Sequence, residues 1–266
     1  METARPKPRT RLHLDHPLGV AQTVPLDRDQ AHYLFGVMRL KPGDAVALFN
    51  GRDGEWLAQV TQAGKRGGEL TCLHQSAPQG MPPDVWLLFA PIKKARTDFI
   101  VEKAVELGAA RICPVQTDFT NSDRIRQDRL QAHAVEAAEQ CGATYVPQVG
   151  ELTRLDRMLN DWPQDRRLIF CDEGFAAEQG DDTPIAGEQQ TPASMLLSDQ
   201  IAALDTARQT PWAILIGPEG GFSPAERAHL RGLDFALAVS LGPRILRADT
   251  AAVAALTLWQ AAAGDW

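Results

Sequence analysis

Cysteine is scarce in this chain: there are four in 266 residues, at positions 72, 113, 141 and 171, with no CxxC pair. This argues against a disulfide framework or a structural zinc site, and reads as four reduced thiols of a cytosolic protein. No apolar run approaches the roughly 20 residues needed to cross a bilayer. The opening METARPKPRTRLHLDHP is basic but lacks an apolar core, so no secretory signal is expected. Lysine is missing altogether from 104–266. A Walker A loop needs a lysine after its glycines to reach the phosphates, so its absence argues against ATP or GTP hydrolysis there.

What is present is an ordinary globular composition, 44% hydrophobic and 23% charged, enough for one large domain or two smaller ones. The net charge of −7 argues at face value against a nucleic-acid partner. Its distribution weakens that argument. Residues 1–80 carry ten Lys/Arg against eight Asp/Glu, a net of +2, and the remainder carries 17 against 26. Much of the deficit lies in 168–207, with eight acids and no Lys or Arg, so basic surfaces remain available elsewhere.

Residues 18–75 read as β-rich. DAVALFN, EWLAQVTQA and GELTCLHQ are short strands separated by the turn signals GRDG and GKRGG. DRDQAHYLFGVMRL before them reads as a short helix capped by Asp27 or Asp29. This pattern suggests a small barrel over 1–75, followed by a Pro/Gly-rich linker at 76–84. From 85 onward strands alternate with helices: VWLLFAPI, ARTDFIVEKAVELG, ARICPVQT, QDRLQAHAVEAAEQCG, RRLIFCDE, WAILIG and FALAVSLG. That is an α/β pattern with a mostly parallel sheet. The polar, acidic stretch 173–193 reads as a surface loop.

Two glycine loops stand out near the end. In GPEGGFSPAE, Ser223 suits an N-cap, Pro224 the first helical position and Glu226 the reciprocal position of a capping box. Gly217, Gly220 and Gly221 therefore lie just before a helix N-terminus, where backbone N–H groups attract anions or carbonyl oxygens. LGPRILRADTAAVAAL repeats the arrangement, with Asp249 or Thr250 as cap of an Ala-rich last helix. The first loop has GxxGG spacing, and only 45 residues follow Gly221, too few for a Rossmann half-domain. Two such loops on successive strands point to a shared pocket rather than two unrelated turns.

The stretches LIGPEGGFSPAE and LGPRILRADTA resemble the two C-terminal signatures of the bacterial 16S rRNA uridine-N3 methyltransferases of the SPOUT class. HYLFGVMRLKPGDAVALFNGRDGEW is similar to that family's N-terminal PUA-like RNA-binding domain, and FIVEKAVELGAARICPV and AAEQCG fall where its other signatures fall. The resemblance covers nearly the whole chain. Three places depart from it: Ala143-Thr144 follow EQCG where an arginine is frequent, LRADTA stands for LRTETA, and TDFTNSDR replaces an acid–arginine pair. The resemblance implies an α/β trefoil knot, a bent S-adenosylmethionine among the knot loops and a homodimer; the reduced thiols point to the cytoplasm, and in-line methyl transfer to nitrogen requires no metal. It implies methylation of N3 of a uridine in the decoding region of 16S rRNA, free or in the small subunit. The rivals are a SPOUT methyltransferase for another base or RNA, and a non-catalytic RNA-binding protein.

Within that resemblance, Leu215, Ile216, Leu241, Ile245 and Leu246 are expected to enclose adenine, with Gly217, Gly220, Gly221 and Gly242 permitting close backbone approach. Methyl transfer to N3 requires alignment and loss of the N3 proton. Arg247 is expected to hold a uracil carbonyl, Glu219 or Asp249 to accept the proton, and Arg96 to reach phosphate or base. Arg9, Arg11 and Arg39 in the N-terminal part, with Lys93 and Lys94 near the site, are expected RNA contacts.

Overall fold

The computed structural model describes residues 8, 10–122, 124–172, 191–192 and 210–266. Of the acidic stretch 173–193 only Thr191–Pro192 is described, as a two-residue strand; the rest of that expected loop lies outside the described residues.

The turn signals of the N-terminal part separate β3 (Ala45–Phe49), β4 (Glu55–Ala63) and β5 (Gly68–Ala77). Two shorter strands flank them, β1 (Arg11–His13) and β2 (Thr23–Leu26), in the order β1-β3-β4-β5-β2. β1 joins β3 in parallel, and the other pairs are antiparallel. Three register shifts between β4 and β5 bend the hairpin. The barrel-like pattern thus takes the form of a curled sheet with β1 and β2 at its edges. Leu34, Val46, Leu48, Val60 and Leu70 are buried together in one cluster of this unit.

Asp27, rather than Asp29, caps α1 (Arg28–Ala31), in a reciprocal box with Gln30. The chain then widens into a π-helical segment, His32–Val37, and Met38 N–H donates to the Tyr33 carbonyl at 2.9 Å. Arg39 follows, exposed and left-handed at φ +56°. β5 runs two residues past the expected boundary at 75, and the first compact unit comprises Met1–Met81 with Ala138–Val146.

The second unit, Pro82–Ala137 with Pro147–Trp266, is built on a parallel sheet. Its strands are β6 (Val85–Phe89), β7 (Arg111–Gln116), β8 (Gln148–Val149), β9 (Thr153–Arg154), β10 (Arg167–Cys171), β11 (Thr191–Pro192), β12 (Trp212–Ile216) and β13 (Ala236–Ser240). The order is β11-β13-β10-β12-β6-β7-β8, with β9 also on β7. β12 lies between β6 and β10 and is buried at all five positions, which is why its sequence is unbroken apolar.

The helices are α2 (Lys94–Glu106), α3 (Gln127–Cys141), α4 (Leu155–Asn160), α5 (Pro224–Arg231) and α6 (Ala248–Ala263). α2 packs on α6. There the buried Gln260 donates from Nε2 to the carbonyls of Leu107 and Gly108, at 2.6 and 3.5 Å, and so satisfies the end of α2. The short β8, β9 and α4 were not expected, because segments of two to six residues carry too little periodicity to read. Among the described residues no helix is long and apolar enough to cross a membrane.

Candidate active site

β12 and β13 are parallel members of one sheet, so the loops that leave them emerge on the same side, beyond the carboxyl ends of the strands. The first loop ends where the sequence places it. Ser223 Oγ accepts the Glu226 N–H at 3.2 Å, Glu226 Oε2 accepts the Ser223 N–H at 2.9 Å, and Pro224 opens α5. Gly221 sits at φ +70°, where a side chain would be strained, and its N–H closes a tight turn onto the Pro218 carbonyl at 2.9 Å. In the second loop Gly242 is at φ +120°.

The last helix begins differently from expectation. Arg247 is its cap residue and makes no side-chain capping bond, so neither Asp249 nor Thr250 caps it. Asp249 lies inside the first turn. Its carboxylate accepts the Thr250 N–H at 3.0 Å and stands 3.7 Å from Arg96 Nε. Ala248 and Ala251 are buried, and starting the helix at Ala248 buries them despite the local capping preference of the acid and the threonine.

The two loops enclose a cavity of about 230 Å³. Ile216, Gly217, Glu219 and Gly221 line it from the first loop, and Ile245, Leu246 and Arg247 from the second. Leu215 does not: it alternates to the other side of β12 and is fully buried in the core with Phe170 and Phe222. Gly220 faces away, towards Phe119. Leu241 and Gly242 lie outside the lining, half-buried and exposed respectively. The cavity also receives Cys171, Pro218, Phe222, Ala248 and Ala251, which sequence reasoning missed. Ala248 and Ala251 are three apart on one helix face, a spacing that was readable. Cys171 reaches the site only because β10 pairs with β12, opposing Cys171 to Ile216.

Arg96 does not line the cavity but fixes its rim. From the first turn of α2 it donates Nη1 to Glu219 Oε1 at 3.0 Å and faces Asp249, so one guanidinium joins both acids. Arg247 is exposed on the lining and makes no side-chain hydrogen bond or ion pair with the described residues.

The expected RNA contacts divide. Lys93 and Lys94 are exposed at the start of α2, and Arg39 is exposed. Arg9 lies outside the described residues. Arg11 is already engaged within its own unit. Its Nε donates to Glu55 at 2.7 Å, Nη1 to the carbonyls of Ala138 and Glu139, and Nη2 to that of Ala143 at 2.8 Å. With its five donors largely committed to protein oxygens, Arg11 is a structural tie rather than a free phosphate contact.

In this α/β unit a glycine-walled cavity lies at the carboxyl edge of a parallel sheet, with Glu219 and Arg247 on its lining and Arg96 tying Glu219 at the rim. An RNA methyltransferase domain model matches residues 80–260, and an RNA methyltransferase PUA domain model matches residues 26–71. The chain belongs to the SPOUT-class small-subunit ribosomal RNA methyltransferase E family, with its N-terminal PUA-like domain. It is 27% identical to the ribosomal RNA small subunit methyltransferase E of Rickettsia conorii, over 92% of this chain and 93% of that one. The Mycobacterium bovis protein of the same name is 29% identical, over 90% and 89%. Among solved structures, the methyltransferase E of Neisseria gonorrhoeae bound to S-adenosyl methionine superposes with a TM-score of 0.78 at 26% identity, over 97% of this chain and 99% of that one. A putative methyltransferase of Legionella pneumophila with bound S-adenosylmethionine gives 0.77 at 25%, with the same coverage.

Proposed function

We propose that this protein transfers a methyl group from S-adenosylmethionine to N3 of a uridine in the decoding region of 16S rRNA, working in the cytoplasm as a homodimer. The observation that carries this reading is the cavity shared by the two glycine loops, with Glu219 and Arg247 on its wall, in a chain whose relatives of similar length are rRNA methyltransferases.

The residues suit the cofactor. Ile216, Leu246, Ala248 and Ala251 offer an apolar wall for a purine, and Gly217 and Gly221 bring bare backbone to its edge. When bound, S-adenosylmethionine supplies an electrophilic methyl group on a sulfonium centre. The protein's own residues do the rest. Arg247, unpaired among the described residues, holds a uracil carbonyl and stabilises the negative charge that grows as N3 loses its proton. Glu219 takes that proton, with Arg96 fixing the carboxylate in place. Asp249 shares the same arginine but is not on the cavity lining, so Glu219 is the better-placed acceptor. The apolar walls keep water from the reacting atoms.

On α6, Val253, Ala254, Thr257 and Leu258 form a half-buried stripe of modest side chains, which supports close approach of a second copy. The test of the function is mass spectrometry of nucleosides from 16S rRNA of cells with and without the protein. N3-methyluridine lost on deletion and restored by the gene is the expected result. An unchanged nucleoside profile overturns the reading.

A further inference from the structure

We propose that Phe119 is the stacking platform for the target base, holding the extruded uracil beside the cavity. The proposal rests on the methyltransferase reading above. Phe119 is 46% exposed, and its ring has no aromatic or cationic partner among the described residues. It is nevertheless held on a fixed turn. Thr120 N–H donates to the Thr117 carbonyl at 3.2 Å, and Thr117 N–H to Thr120 Oγ1 at 2.9 Å. Asp118, the neighbour of Phe119, is clamped from both ends. Its N–H donates to Glu226 Oε1 at 2.8 Å, and its carboxylate accepts the Ser223 hydroxyl at 2.6 Å. The capping box that shapes the first glycine loop therefore also anchors the turn that carries the ring.

The position is informative. A Cβ added to Gly220 would stand 3.4 Å from Phe119 Cβ, so the root of the aromatic packs on bare loop backbone. Gly220 lies between Glu219 and Gly221, which both face the cavity, yet Phe119 itself does not line it. An apolar, flat surface thus stands against Gly220, the chain neighbour of Glu219, but outside the cavity lining. A phenyl ring offers a phosphate no hydrogen bond, and its exposed flat face matches the π-face of an unstacked base. A base taken out of its helix loses its stacking neighbours and recovers part of that energy on an aromatic face. Because the turn is already ordered, little entropy is lost when the base arrives.

The test is steady-state methylation of small ribosomal subunits that lack the modification, using wild type, Phe119→Ala, Phe119→Leu and Phe119→Tyr. Cofactor titration calorimetry and thermal unfolding accompany it. The expected result is a loss of about 10- to 100-fold in kcat/KM for the subunits in the Ala and Leu variants, the scale of one lost base–aromatic stack. Phe119→Tyr should recover to within about threefold, because it keeps the ring face. Cofactor affinity and Tm should stay at wild-type values. An unaffected Phe119→Ala overturns the stacking, as does a Leu variant equal to wild type, which would mean simple apolar packing. A matching fall in cofactor affinity overturns it too, by assigning the ring to the cofactor. Wild-type protein that leaves the subunits unmodified overturns the methyltransferase reading and this proposal together, so the two failures are distinct.

Discussion

At the scale of single residues, the site is organised by which charges are satisfied and which are not. Arg96 joins Glu219 and Asp249, whereas Arg247 stands on the cavity wall with no side-chain partner among the described residues. A purely structural Arg247 would tie its loop to a carboxylate, but the nearby acids that could serve are held by Arg96. Arg247→Ala should therefore fold and bind cofactor as wild type does, and lose about 10²–10³ in single-turnover rate at saturating cofactor. Arg247→Lys should recover only part of this, since a point charge does not reproduce a planar fork. A near-normal rate in the alanine variant, or a lower Tm with weakened cofactor binding, would remove Arg247 from charge stabilisation. Cys113 illustrates the opposite kind of residue. Burial pushes its thiol up to about 11, so it stays protonated and inert as part of the core.

At the scale of elements, legibility follows range. The Ser223–Glu226 box was readable because all its parts lie within four residues, and the structure reproduces it atom for atom. The Ser223–Asp118 bond, 105 residues apart, was not. The start of α6 was misread because Asp249 and Thr250 have good local capping chemistry, while the helix starts at Ala248 and buries its alanines. Cavity residues followed the same rule. The glycine loops were visible as motifs, but Leu215 fell on the wrong side of β12, because an unbroken apolar strand gives no alternation from which to choose a face. Cys171 needed the strand order. The same box yields an element-scale expectation. Ser223 is buried, caps α5 and donates to Asp118. Ser223→Ala should lower stability by about 1–2 kcal/mol. It should also weaken cofactor binding, because the loop ahead of α5 loses its anchor. Ser223→Thr should keep most of the stability. Denaturant unfolding checks the first point and calorimetry the second; wild-type values for both in Ser223→Ala would show that the cap does not shape the loop.

At the scale of the molecule, the chain divides its work between a curled N-terminal sheet and a parallel-sheet unit that carries the cavity. The first unit contains a titratable weak point. His13 packs edge-on against Phe49 at 5.3 Å, and burial holds its pKa below the usual 6.5. The folded state thus binds the proton less readily than the unfolded chain. The stability this gives is fully present above about pH 6.5 and is lost as pH falls through the lower, folded value. Unfolding midpoints measured from about pH 8 to 5 should decline, and His13→Gln should flatten that decline; an equal slope in the variant would place the titration elsewhere. The same unit carries the surplus of positive charge, and the structure sorts its members by availability. Arg11 is spent on Glu55 and three backbone carbonyls, so Arg11→Glu should lower Tm by misfolding its surroundings. Arg39, Lys65 and Arg66 are exposed. Reversing these three to Glu should leave Tm and cofactor affinity unchanged but weaken binding to 16S rRNA. Phosphate contacts release counterions, so affinity falls linearly with the logarithm of salt, by about 0.7–0.9 per contact in the slope. If all three residues touch phosphate, the reversal should flatten the wild-type slope by about 2–3. Binding isotherms across a salt series decide the matter. A triple variant with the wild-type slope and affinity would mean that the RNA engages a different face of the protein.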